Sequence, residues 1–308
     1  MENGIVKIEN LSHRYTSQWA VNNVSFEINH QGIIGLLGSN GAGKSTMMNI
    51  ICGVLKQTAG EVYINGIDLK RNPVEAKKNI GFLPQKPPLY LDFTVEEYLT
   101  YCADLRMVEK KKIKTAVGEA AARCGVSHFM NRLLRNLSGG YQQRVGIAQS
   151  IVHNPYFVVL DEPTNGLDPN QIVEVRNLIK EIAEDRSVLL STHILSEVQA
   201  TCSEIKMIEH GQLVFSGTLD DFNNYIEPNA LLLSLDTPPD KEELLAIRGI
   251  NSVEQPTPGN FRILYDGERE TIKQIAQTAI NKGWGLFGLT VEKSSIDAVF
   301  AELSKKTR

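Results

Sequence analysis

The sequence predicts an α/β fold built on a largely parallel sheet, followed by a smaller α+β domain. Three observations support this. Short apolar runs recur between segments of helical periodicity: Ile33 to Leu37, Ile80 to Leu83, Phe157 to Leu160 and Ser187 to Ser191. A glycine-rich stretch, Gly38-Ser39-Asn40-Gly41-Ala42-Gly43-Lys44-Ser45-Thr46, joins the first of these runs to a helical segment. Beyond Ile226 the order changes to β-α-β-β-α-β and a terminal helix, which is the pattern of a ferredoxin-like domain. A length of 308 residues accommodates one large domain and one small one, and 42% apolar content is ample for their cores.

Bulk properties narrow the function. A net charge of −4 argues against a nucleic-acid partner, whose binding surface is basic. The four cysteines, Cys52, Cys102, Cys124 and Cys202, are far apart and lack C-x-x-C or histidine spacing, so reduced thiols are expected rather than disulfides or zinc. Met1-Glu2-Asn3-Gly4 does not begin a signal peptide, and no apolar run approaches membrane-spanning length. A soluble, cytoplasmic chain is expected.

Taken in order, Ile5 to Ile8 and Val24 to Ile28 alternate as half-buried strands, with Tyr15 in a polar connection between them. A tyrosine ring upstream of a phosphate loop can stack on an adenine base. After the glycine loop, Met47, Ile50, Ile51 and Val54 are spaced as one buried helix face. Glycines let consecutive backbone N–H groups turn inward, and a helix N-terminus adds positive potential, so the stretch is a phosphate cradle. Lys44 supplies a cation for the β and γ phosphates, and Ser45 a hydroxyl for Mg²⁺.

Asn65-Gly66, between Glu61 to Ile64 and Ile67 to Leu69, signals a hairpin. The strand Ile80 to Leu83 ends at Pro84-Gln85, where Gln85 is either an ordinary loop amide or a group reaching Mg²⁺ or an attacking water. From Lys86 to Asn136 the pattern is helical, with Val95, Leu99 and Cys102 on one face and Glu109 to Lys114 as a solvated face. This segment reads as an inserted subdomain. In Leu137 to Arg144, Ser138 is suited to an N-cap, and Gly139 and Gly140 expose N–H groups at a helix start to an anion.

The run Phe157 to Leu160 ends in Asp161-Glu162-Pro163. Neighbouring strand residues face opposite ways, so one carboxylate can hold Mg²⁺ while the other orients or deprotonates water. Asp168-Pro169 opens a helix from Asn170 to Asp185, and Ser187 to Ser191 delivers Thr192-His193. Parallel sheets bind ligands at the carboxyl ends of their strands, where Gly38, Gln85, Asp161 and His193 all lie. In the C-terminal part, Ile272, Ile275, Ala276, Ala279 and Ile280 line one helix face, and Ile296, Val299, Phe300 and Leu303 another.

With these motifs in this order, the chain resembles the nucleotide-binding subunit of an ATP-binding-cassette (ABC) transporter from residue 4 to about residue 225. The resemblance implies the phosphate-loop ABC ATPase fold at 1–226, with an antiparallel β subdomain and the helical insertion at 86–136, and an accessory domain at 227–308. It implies that Tyr15 stacks on adenine and that Gly38 to Thr46 is the Walker A loop. Gln85 is similar to the Q-loop glutamine, and Leu137 to Arg144 to the family signature. Asp161 and Glu162 resemble the Walker B aspartate and catalytic glutamate, Asp168 the D-loop and His193 the switch histidine. ATP and Mg²⁺ are the implied cofactors, with Ser45, Gln85 and Asp161 toward the metal and Glu162, His193, Gln85 and Lys44 in catalysis.

Ser138, Gly139 and Gly140 would meet ATP held by an opposite copy, implying a homodimer around two nucleotides. A separate integral-membrane permease is the implied partner, with the chain peripheral on the inner face of the membrane. Ser295 to Phe300 resembles the tail of cassettes serving ABC-2-type exporters. The competing expectation is a soluble ABC ATPase acting on nucleic acid or ribosomes, although this chain has neither the second cassette nor the long coiled coils of such relatives. Ser39, where many relatives carry proline, and Tyr141, where many carry glutamine, depart from the pattern at positions expected to matter for backbone or packing.

Overall fold

The computed structural model describes residues 4–225, 230–292 and 296–305. Contacts divide the chain into two units, Met1–Leu219 with Leu303–Arg308, and Asp220–Glu302. The boundary expected at Ile226 lies outside the described residues.

The first unit opens with β1 (Val6–Tyr15) and β2 (Gln18–Ile28), both longer than their alternating stretches predict. Asn10 and Asn23 adopt positive φ, and register shifts interrupt the pairing, so the alternation breaks while the strands continue. Tyr15 is therefore the last residue of a strand, paired with Gln18, rather than part of a loop. Next come β3 (Gly32–Leu37) and α1 (Lys44–Ile51). The helix stops one turn earlier than expected, because Gly53 turns the chain at φ 65°, and Val54 is 67% exposed. Met47, Met48, Ile50 and Ile51 are all fully buried, in one apolar cluster that also takes side chains from β1, β2 and β3.

The hairpin of β4 (Ala59–Ile64) and β5 (Ile67–Asp68) turns on Asn65 and Gly66, both at positive φ. It completes an antiparallel sheet of order β2-β1-β4-β5. α2 (Pro73–Lys78) leads to β6 (Ile80–Leu83). The helical insertion contains α3 (Val95–Leu105), held at its start by a Thr94–Glu97 capping box, and α4 (Lys110–Arg123). Val95, Leu99 and Cys102 are buried. Tyr98 is buried with them, its hydroxyl donating to Pro88 O at 3.2 Å.

The core sheet is completed after α5 (Gly139–Ile151) by β7 (Phe157–Asp161), α6 (Pro169–Ala183), β8 (Ser187–Ser191), α7 (Leu195–Thr201), β9 (Glu204–Glu209) and β10 (Gln212–Thr218). Its order is β10-β9-β3-β8-β7-β6, with β9, β3, β8, β7 and β6 parallel and β10 antiparallel at the edge. A parallel sheet with alternating helices ends all these strands at one edge, and that edge gathers the candidate residues.

A short helix, α8 (Leu219–Asn223), follows β10. The second unit holds β11 (Ala230–Leu235), α9 (Lys241–Leu245), β12 (Ile250–Thr257), β13 (Asn260–Tyr265), α10 (Arg269–Asn281) and β14 (Leu286–Glu292). Its antiparallel sheet has the order β12-β13-β11-β14, which is the β-α-β-β-α-β arrangement expected. On α10 the buried face is Thr271, Ile275 and Ala279, while Ile280 is 68% exposed. Five residues past Ile275 it lies about 140° around the helix, outside the stripe. In the last helix, α11 (Ile296–Lys305), Val299 and Leu303 are buried. Ser294 and Ser295, expected to begin this helix, are outside the described residues.

His153, between α5 and β7, has Nε2 2.9 Å from Ile80 O, while its buried Nδ1 has no partner among the described residues. Burial first, then the Arg106 and Arg186 charges, push its pKa down to about 4. Between the ordinary histidine pKa of about 6.5 and that value, the unfolded chain binds a proton the folded chain refuses. Stability therefore falls with pH in this window, with a limiting slope of about 1.4 kcal/mol per unit. Urea denaturation between pH 7.5 and 5 should show this loss, and His153→Gln should remove that share of it.

Candidate active site

The glycine loop leaves β3 at Leu37 and enters α1 at Lys44. A Cβ on Gly38 would lie 2.2 Å from Ile208 O, and one on Gly43, at φ 107°, 2.2 Å from Ala20 O. Glycine is required at both by neighbouring backbone. Lys44 Nζ donates to Gly38 O at 2.8 Å and Ser39 O at 3.0 Å, so the ammonium sits folded back on its own loop. Burial lowers its pKa, opposed by the charges of Glu162, Asp161 and Glu209. Among the described residues its hydrogen bonds go to neutral carbonyls, and an anionic oxygen would make the stronger bond.

The two carboxylates at the end of β7 have different surroundings. Asp161 is buried and accepts from Ser191 Oγ at 2.5 Å. Glu162 leaves the strand at φ 47°, an uncommon conformation for glutamate, and its N–H donates to Ser191 Oγ at 3.0 Å and Ser191 O at 3.2 Å. Its side chain is reached from separate strand ends. Gln85 Nε2 donates to Oε2 at 2.8 Å, and His193 Nδ1 lies 3.1 Å from Oε1; Asn165 Nδ2 adds a 3.3 Å bond to Oε2. A carboxylate held this way beside an open cleft can orient a water and accept its proton.

That cleft has a volume of about 410 Å³. Tyr15, Asn40, Gly41, Gly43, Lys44, Ser45, Thr46, Gln85 and Glu162 all line it. Gly38, Ser39 and Ala42 form the loop behind these residues, and Asp161 stands behind Glu162 through Ser191. The lining does not include Ser138, Gly139, Gly140 or Asp168. Ser138 occupies the N-cap position of α5 without a side-chain cap bond, and Gly140 is packed under Gln171. Asp168 caps α6 by accepting from Gln171 N at 3.0 Å.

Sequence reasoning missed Gln18, Trp19 and Ala20, which also line the cleft. Trp19 is 43% exposed, with the Arg14 guanidinium 5.6 Å from its ring centroid. Reading Thr16-Ser17 as a two-residue turn would have placed Trp19 near Tyr15. Ser191 and Asn165 were missed as partners of the carboxylates, and nothing in their spacing signals that role.

The oxygen donors of Ser45, Gln85 and Asp161 are a hydroxyl, an amide and a carboxylate, all hard ligands. Among the described residues no cluster of three or more His, Cys, Asp or Glu could hold a metal. The set fits Mg²⁺, which takes few protein ligands and keeps water or phosphate oxygens.

Residues 21–165 match the family described as ABC transporter. The chain is 33% identical over 231 residues to the uncharacterized ABC transporter ATP-binding protein YxlF of Bacillus subtilis, covering 75% of this chain and 77% of that one. It is 35% identical over 212 residues to the bacitracin transport ATP-binding protein BcrA of Bacillus licheniformis, covering 68% of each. Among solved structures it resembles the dimeric post-hydrolysis state of the ATP-binding cassette MJ0796 bound to ADP and Pi. That match has a TM-score of 0.63 at 27% identity, over 70% of this chain and 98% of the other.

Adding ATP with Mg²⁺ should change the fluorescence of Trp19, while Trp284 is buried in the other unit. The change should disappear in Trp19→Phe and persist in Trp284→Phe, as read by emission titration.

Proposed function

This chain belongs to the ABC transporter family of ATP-binding proteins, and from that premise we propose that it hydrolyses ATP to drive a separate membrane permease of the ABC-2 exporter type. The observation that carries the catalytic part is the junction of two features in one cleft. The phosphate loop forms one wall, and Glu162, bonded to Gln85 and close to His193, stands at another.

In the proposed cycle, the Gly38–Thr46 backbone and Lys44 bind the triphosphate, and the Tyr15 ring stacks on the base. Ser45, Gln85 and Asp161 hold Mg²⁺, which when bound neutralises phosphate charge. Glu162 orients the attacking water and accepts its proton, while His193 faces the γ-phosphate. Ser138, Gly139, Gly140 and Asp168 act on nucleotide held by a second copy. The dimeric state of the similar cassette supports this division of labour. Nucleotide bridging then closes the dimer, and hydrolysis removes the bridge.

The permease partner is supported by the family and by the named bacitracin transport role of BcrA. The ABC-2 assignment rests on the resemblance of the tail at Ser295 to Phe300. Among the described residues no helix is long and apolar enough to cross a membrane, so any transport path lies in another chain or segment. The proposed docking surface lies in the segment after Gln85, in which Val95 and Tyr98 are buried. It is centred on exposed Tyr90, Leu91 and Tyr101, where Tyr90 and Tyr101 pack edge to face at 5.6 Å.

Glu162→Gln should bind ATP as wild type does while losing at least about a hundredfold in turnover, because proton acceptance is removed and the amide keeps the shape. Captured with ATP and Mg²⁺ from gently solubilised native membranes, the same variant should retain a multi-span protein. Near-normal turnover would remove Glu162 from the role. Recovery of ribosomes or nucleic acid instead would contradict the transport reading.

A further inference from the structure

Ser39 departs from the family pattern, and the structure gives its side chain a partner that the sequence did not suggest. The hydroxyl donates to one carboxylate oxygen of Glu209, and the Ser39 backbone N–H donates to the other at 3.2 Å. Glu209 ends β9, and its side chain is only 4% exposed. β9 runs parallel to β3 with Met207 opposite Leu37, so Ser39 and Glu209 continue the same register two residues beyond it. A buried carboxylate is costly unless it has donors and nearby positive charge. Here Ser39 provides the donors, Lys44 feels the Glu209 charge, and His210 Nε2 lies 4.0 Å from Oε1.

This contact constrains one peptide plane at both ends. The Gly38–Ser39 peptide presents its N–H to Glu209 and its carbonyl to Lys44 Nζ at 2.8 Å. Because the peptide is planar, holding the N–H fixes where the carbonyl points. If the N–H were released, the plane could turn, and a carbonyl facing bound phosphates would repel them. The turn after Glu209 ties down the loop again, with Gly211 N–H donating to Ala42 O at 2.9 Å.

We propose that Glu209 is a positioning residue for the phosphate loop: by holding both Ser39 donors it fixes the Gly38–Ser39 peptide and so sets affinity for the nucleotide triphosphate without touching it. This rests on the reading that ATP binds the loop. It adds the end of β9 to the strand ends serving the site, and it gives position 39 a side-chain bond beside the backbone contact expected there.

The test is ATP binding and steady-state hydrolysis by the full chain with Mg²⁺. Glu209→Ala should weaken ATP binding about tenfold, as expected for loss of a charge-assisted pair, with kcat within about twofold of wild type. Glu209→Gln, which keeps an acceptor in place, should restore affinity to within about threefold. Ser39→Ala with Glu209→Ala should bind no more weakly than Glu209→Ala alone, because both changes remove one interaction. Wild-type affinity in Glu209→Ala, kcat falling in step with affinity, failure of the glutamine variant to rescue, or additive losses in the double variant would each overturn the proposal. If Glu209→Ala fails to fold by circular dichroism, Ser39→Ala alone decides: about threefold weaker binding supports the proposal, and unchanged binding overturns it. A wild-type chain that binds no ATP would instead refute the functional reading beneath it.

Discussion

The larger unit depends on how closely a short backbone loop can lie against its neighbours. A cradle made of N–H groups works only if no side chain intrudes, and at Gly38 even a methyl group would meet Ile208 O. That closeness brings Lys44 back over its own loop, and places the end of β9 against the loop. The parallel sheet makes the approach possible, since β3 lies between β8 and β9 and all three strands end at the same edge. The fold therefore supplies the geometry, and a handful of residues at the strand ends supply the chemistry.

The same edge carries local strain. Glu162 holds a left-handed backbone conformation that a glutamate avoids by itself, and its N–H is tied to Ser191 on the neighbouring strand. Ser191 also donates to Asp161, so one hydroxyl ties the Asp161 carboxylate to the Glu162 backbone N–H and leaves the Glu162 carboxylate to other partners. Asp161 is kept inward while Glu162 is turned toward Gln85, His193 and the open cleft. The proposed division between metal holding and proton acceptance follows from that divergence rather than from residue type.

Much of this was legible in the chain. Buried parallel strands appear as short apolar runs, and Gly38 to Thr46 cannot easily be read as anything but a phosphate loop. The long β1–β2 hairpin was not, because left-handed Asn10 and Asn23 interrupt the alternation that marks a strand. Val54 fits a helical spacing but follows the turn that ends the helix, and Ile280 lies well around the helix from its buried stripe. The Ser39–Glu209 contact joins residues 170 positions apart, so only the register of two parallel strands discloses it. Local periodicity speaks for elements; contacts distant in sequence need the fold.

The second unit contributes a packed antiparallel sheet with its own apolar cluster, centred on Leu231, Phe261, Ile263 and Ile275. The first unit carries the cleft that, in the proposed cycle, a second copy completes. The most direct test is an experimental structure of the Glu162→Gln chain with ATP and Mg²⁺. Phosphates should lie on the Gly38 to Thr46 loop, the base against Tyr15, and Ser138 and Gly140 from another copy at the γ-phosphate. ATP bound elsewhere, or a cleft filled and closed by a single chain, would contradict it.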